Sequence, residues 1–225
     1  MAVQATSTQG SSTLPCLFLL SFDKTPFFDE LYAPMIDVLS SKATLKRASK
    51  PMGALNYLNT QTPTAVIVTD CALTNRKYSA VLKKVDAYVC MGGTVIFCGD
   101  FASSVRPDDL ARFFSKWGLE WKPGSYQRTT THLNRLVQLV PHPYLPAAYS
   151  QKAVFLKGVA PQARLYIPTV ESWTESHVFP QEPVKDLEET PVAFQTIGKG
   201  RLGYIGDVNA EIGSHAVVRA MCGLC

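Results

Sequence analysis

Charge of one sign, long apolar runs and a turn-rich cysteine framework are all missing from this chain, and each absence removes a class of protein. Lysine and arginine number 22 against 18 acidic residues, a net charge of +4 over 225 residues. The bases scatter: Lys77, Lys83 and Lys84 fall on one predicted helix, and Arg106, Arg112 and Lys116 on or beside the next. That describes a solvated face, with no aromatic-basic stripe for nucleic acid. The apolar segment Leu14 to Phe22 is too short to span a bilayer and runs into Asp23-Lys24, so it reads as a first core strand rather than a signal peptide. Neither nucleic acid nor a membrane is expected as a partner. The six cysteines (16, 71, 90, 98, 222 and 225) sit mostly within apolar strand or helix patterns. Free thiols in a reducing, cytoplasmic setting fit that placement. Cys222-Gly-Leu-Cys225 has neither the further ligands of a zinc site nor the strand-helix setting of a redox pair, and reads as a helix end. Gly198-Lys199-Gly200 lacks the spaced glycines and the Ser/Thr of a phosphate loop, and reads as a hairpin turn. No metal site and no cofactor are expected.

What is present is a recurrence. Four short apolar runs end in aspartate: Leu17 to Asp23, Ala65 to Asp70, Val95 to Asp100 and Leu202 to Asp207. Each run has the length and composition of a buried strand. If the strands lie parallel, the four carboxylates emerge along one carboxyl edge, where open α/β sheets place their ligand crevice. Aspartate is also a preferred helix N-cap, so each one has a structural reading beside the functional one. Between the strands, helices are predicted from Thr25-Pro26 onward with a kink at Pro34, over 51–58, over 75–91 up to Gly92-Gly93, and from Arg106-Pro107 to Gly118. This βαβα alternation is the signature of a parallel sheet covered on both faces. Residues 120–133 read as extended, 147–159 as partly helical, 165–167 as strand, 168–191 as loop, 192–205 as a β-hairpin and 213–221 as a final helix. The domain organisation expected is a polar N-terminus over 1–13 and a single domain over 14–225, with a loop-rich insertion at about 134–191.

Two segments carry a resemblance. Val85-Asp86-Ala87-Tyr88-Val89-Cys90-Met91-Gly92-Gly93 leading into Thr94-Val95-Ile96-Phe97-Cys98-Gly99-Asp100-Phe101, and Gly198-Lys199-Gly200-Arg201-Leu202-Gly203-Tyr204-Ile205-Gly206-Asp207-Val208-Asn209, resemble the class I glutamine amidotransferase-like superfamily. They are nearest in pattern to its ThuA-like and β-galactosidase trimerisation-type branches. The resemblance implies an α/β fold: a flavodoxin-like three-layer sandwich with a mostly parallel central sheet, helices on both faces and a C-terminal β-hairpin. It also implies a homodimer by analogy.

In active amidotransferases of that superfamily a cysteine sits on a tight elbow after the central strand, and a His-x-Glu set follows near the domain end. An elbow at a helix N-terminus exposes the sulfur and lowers its pKa, and a His held by Glu acts as base. Cys98 falls within about one residue of that elbow, although Ile96 stands where the preceding glycine belongs. Its alternative is a buried strand-end thiol, and Cys71 is a weaker competitor. Asp207, Val208 or Asn209 occupies the histidine slot, while Glu211 stands in for the carboxylate. Asp or Asn makes a poor base near neutrality, so glutamine hydrolysis by the usual triad is not expected. Of the four histidines, His177 and His215 are the candidates for a substitute base; His132 and His142 lie in strand and proline-rich sequence.

The expected catalytic set is Cys98, Glu211 and His177. The expected ligand-binding set is Asp23, Asp70, Cys71, Gly99, Asp100, Phe101, Asp207 and Asn209. The function expected is binding of a small polar molecule at the carboxyl edge. The alternative is a cysteine-dependent hydrolase or transferase using Cys98.

Overall fold

The computed structural model describes residues 14–176 and 178–224. Three strands are apolar over nearly their whole length and buried on both faces: β1 (Cys16–Leu20), with Cys16 half-buried, β3 (Ala65–Val68) and β4 (Thr94–Phe97), which opens on Thr94. Such runs suit only strands with a layer on each side. With β2 (Thr44–Ala48) and β9 (Gly200–Ile205) they form a parallel block in the order β2-β1-β3-β4-β9. The polar β2, with Lys46 and Arg47, lies at the open edge, where charge discourages further pairing.

Successive residues of these strands point to opposite faces and found two cores. Phe18, Leu20, Val66, Val68, Val95 and Phe97 face one layer. Covering it are α3 (Pro51–Thr60), α4 (Ser79–Cys90), α5 (Phe101–Ser104) and α6 (Pro107–Phe114). Leu17, Leu19, Ala65, Ile67 and Ile96 face the other. There the cover is α1 (Phe28–Leu31), α2 (Ala33–Ser40) and α7 (Ile212–Met221). The first predicted helix is divided at Tyr32, with Pro34 in the first turn of α2, because proline cannot donate inside a continuous helix. Aromatic packing is dense in the first layer, where Phe97 meets Phe101, Phe113, Phe114 and Trp117.

The expected mostly parallel sheet is corrected. The sheet has nine strands, and beyond β9 every pairing is antiparallel, through β8 (Val192–Ile197), β7 (Arg164–Ile167), β5 (Lys122–Leu133) and β6 (Ala148–Lys157). Residues 147–159, expected to be partly helical, are therefore mostly strand β6. Strand β6 then turns back on the parallel block. Val154 N–H donates to Gly206 O at 2.9 Å, Val208 N–H to Lys152 O at 2.9 Å, and Leu156 and Thr190 exchange backbone bonds. This closes the antiparallel half into a barrel-like ring, with Gly206 at the joint. A Cβ on Gly206 would lie 2.0 Å from Val154 O, so only glycine lets the two backbones meet. Among the described residues no helix is long and apolar enough to cross a membrane.

Candidate functional site

The order β2-β1-β3-β4 puts a topological switch between β1 and β3, where a parallel sheet ordinarily opens a ligand crevice. Here the crevice is bridged by the chain itself. Asp70 accepts Ala72 N–H at 3.0 Å through one oxygen and Asp23 N–H at 2.8 Å through the other, which ties the β1 loop to the β3 loop. Asp100 accepts both the N–H (3.2 Å) and the hydroxyl (2.8 Å) of Thr25. Asp207 accepts Asn209 N–H at 2.8 Å and Glu211 N–H at 2.7 Å. Burial raises the carboxyl pKa of Asp70 and Asp207 above the ordinary value, opposed by those N–H donors. Asp23 is half-exposed and meets Tyr78 Oη at 2.9 Å and Lys77. Asp70, Asp100 and Asp207 thus act as clips on the loops that follow the strands, while Asp23 does not. Among the described residues no cluster of three or more His, Cys, Asp or Glu side chains is arranged to hold a metal ion.

Cys98, directly after β4, is buried, 1% exposed. The positive φ of the strand-to-helix elbow belongs to its neighbour Gly99, at +64°. The turn that would present a nucleophile therefore carries no side chain. Burial, with Asp207 nearby, pushes the Cys98 thiol up to about 12, so it is protonated near neutral pH. Phe101 is a core residue against Phe97 and Phe113, and Cys71 is half-buried with its N–H on Ser104 Oγ. His177 lies outside the described residues. The histidine that does lie near Cys98 is His215, on the second turn of α7 and 4% exposed. It shares a small cavity of about 10 Å³, lined mostly by buried side chains, with Cys98, Gly99 and Asp207. Burial lowers the His215 pKa, which keeps the ring neutral.

The open site lies beside this edge, in the antiparallel half. Strand alternation puts Tyr126, Arg128 and Thr130 of β5 on one face, and the register sets Lys152 opposite Arg128 and Ser150 opposite Thr130. Thr129, Thr131, Gln151 and Ala153 take the buried face. Residues 173–176 are fastened across the ribbon: Glu175 N–H donates to Arg128 O at 2.8 Å, and its carboxylate accepts from Thr130 (2.9 Å) and Ser150 (2.6 Å) hydroxyls. The result is a cleft of about 900 Å³ with Arg128, Lys152, Glu175 and Asn209 on its walls. Tyr126 and Phe179, 58% and 73% exposed, line it too, and the Lys152 ammonium lies over the Tyr126 ring at 5.1 Å. Arg128 pairs with Glu211. With the Asn209 amide turned so that its oxygen faces the guanidinium, that oxygen accepts from Arg128 at 2.7 Å.

Of the residues expected from the sequence, Asn209 and Glu211 meet at Arg128, while Asp23, Asp70, Cys71, Gly99, Asp100, Phe101 and Asp207 do not line the cleft. Arg128, Lys152 and Glu175 are new; the sequence around Arg128 is continuously polar, and no local pattern singles out any of the three.

No protein-family model matches the sequence, and no curated protein matches it. Solved structures share the fold. A protein described as ThuA-like from Bacteroides uniformis superposes with a TM-score of 0.58 at 11% identity, covering 96% of this chain and 94% of its own. One of the same description from Parabacteroides merdae gives 0.57 at 11% identity, over 94% and 89%.

Proposed function

We propose that this chain is a ligand-binding member of the class I glutamine amidotransferase-like superfamily, of the ThuA-like or trimerisation-type branch and without the usual Cys-His-Glu triad, and that it holds a small polar molecule in the cleft walled by Arg128, Lys152, Glu175 and Asn209. One observation carries the reading: the elbow and Cys98 are closed off, while the cleft beside them is open and bears fixed donors, acceptors and an aromatic face. Pockets with a few oriented polar groups and an apolar wall are ordinary small-molecule sites. Arg128 and Lys152 supply donors; Glu175 and Asn209 supply acceptors. The alternative reading, Cys98 as nucleophile, asks for a thiolate in a place where burial favours the thiol.

The test is a thermal-shift screen of the whole chain against sugars, polyols, amino acids and small organic acids. The expected result is a rise in Tm with one chemical class, lost in Arg128→Ala and retained in Cys98→Ser. Ammonia release from glutamine that disappears in Cys98→Ser would overturn the reading. Pairing with a second copy belongs to the same proposal; sedimentation that finds only single chains removes that part. The unpaired cysteines 16, 71, 90, 98 and 222 accord with a reducing, cytoplasmic location, which a fluorescent fusion tests.

A further inference from the structure

The loop after β9 holds its shape at a conformational cost. Ala210 has φ +54°, the one positive φ outside glycine among the described residues. That region is disfavoured for a residue with a Cβ, and it persists where surrounding contacts enforce it. The contacts here are polar clasps. From below, the Asp207 carboxylate takes the N–H groups of Asn209 and Glu211. From outside, the Arg128 guanidinium holds Glu211. Packing contributes less, since Val208 and Ala210 are half-buried and Asn209 is exposed.

Ala210 lines the small cavity of about 10 Å³ that it shares with Tyr32, Cys98, Asp207 and His215. This is about the space of a single water. His215 lines it, and its Nε2 is buried without a hydrogen-bond partner in the protein. Buried ring nitrogens nearly always have one, so an orphan nitrogen on a cavity wall points to an occupant of the cavity.

We propose that residues 208–211 form a hinged cover over a concealed pocket for one small uncharged polar molecule, with Cys98, Asp207 and His215 on its walls and the Arg128–Glu211 ion pair as its latch. The inference does not rest on the ligand-binding reading of the cleft, because it needs only that the cover opens. Arg128 has one further hydroxyl partner, Ser150 at 3.3 Å, so the guanidinium keeps a place in the ribbon when Glu211 leaves.

The experiment is site-resolved alkylation of the folded chain by iodoacetamide at pH 8, read by mass spectrometry for each cysteine. Cys222 is the internal reference: it is as buried as Cys98 and lies in the same core layer, but it does not line the cavity. Arg128→Ala is expected to speed labelling of Cys98 by tenfold or more and to leave Cys222 unchanged. Glu211→Gln keeps the shape of the clasp with a weaker attraction, and should give a smaller acceleration in the same direction. Unchanged Cys98 labelling in both variants would overturn the proposal. So would parallel acceleration of Cys98 and Cys222, because that reports opening of the whole core.

Discussion

The parallel and antiparallel halves of the sheet use the same kinds of polar side chain to different ends. In the parallel half, Asp70, Asp100 and Asp207 are buried, and N–H groups or hydroxyls of neighbouring loops occupy their carboxylates. In the antiparallel half, Arg128 and Lys152 on the β5–β6 ribbon and Glu175 on the segment fastened across it are half-buried and line open volume. A sheet edge rich in carboxylates is therefore not by itself a site; what matters is which carboxylates have been taken up by the backbone. Buried polar groups must be paired within the fold, whereas solvated ones can exchange water for a ligand.

The joint between the halves is the first place to break this contrast. Gly206→Ala forces a Cβ against Val154 O, backbone against backbone, which no side-chain movement relieves. A loss of about 3 kcal/mol or more is expected, read by urea denaturation. Gly53→Ala in α3 meets nothing within 4 Å and should instead add about 0.5–1 kcal/mol. Next come the clips. Asp207→Ala leaves two loop N–H groups without their acceptor, and a cost of about 1–3 kcal/mol is expected. Asp70→Ala removes the side-chain cap of the turn at Cys71–Thr74, worth about 0.5–2 kcal/mol. If the half-exposed Asp23→Ala costs as much as either, the distinction between the clips and a merely solvated aspartate fails.

The strands β1, β3 and β4 were legible because burial on both faces demands continuous apolar runs. The β8–β9 hairpin was legible because Gly198-Lys199-Gly200 breaks two such runs. Strand β6 was not: Ala147, Ala148, Gln151, Lys152 and Ala153 have helix-compatible propensities, and pairing with β5 decides their conformation. At the elbow, sequence brought the reading within one residue, but Cys98 and Gly99 differ in which of them carries the positive φ. Arg128 and Glu211 are 83 residues apart, and no local pattern announces their meeting. His215 and Cys98 reach one cavity only because α7 packs back across β4 and β9.

A smaller effect separates the halves by pH. Burial lowers the His215 pKa below its ordinary 6.5, against the opposing pull of Asp207 and Glu211. Below about pH 6.5 the unfolded chain therefore binds the proton more readily than the folded one, and stability falls with falling pH. Above 6.5 His215 is neutral in both states and contributes nothing. Asp207, raised from 3.8, has the opposite sign: deprotonation costs the folded state as pH rises through its folded value. Comparing Tm at pH 5 and pH 7.5 in both proteins reads the histidine's share, since the decline on acidification should be shallower in His215→Gln than in the wild type. Equal declines would assign the acid sensitivity elsewhere.

The smallest expected effect is on the cleft wall. Lys152→Ala removes an ammonium that touches the Tyr126 ring from outside, while the β6 backbone ladder is untouched. An exposed cation–π contact is worth about 0.5–1 kcal/mol, and part of it returns as side-chain freedom and solvation. Urea denaturation should therefore place this variant within about 0.5 kcal/mol of the wild type. A loss as large as that of Asp207→Ala would mean that the ribbon's outer face holds the fold together as the clips do. A near-neutral result leaves Lys152 free of a structural duty, which is the condition a ligand-contacting side chain on this ribbon has to meet.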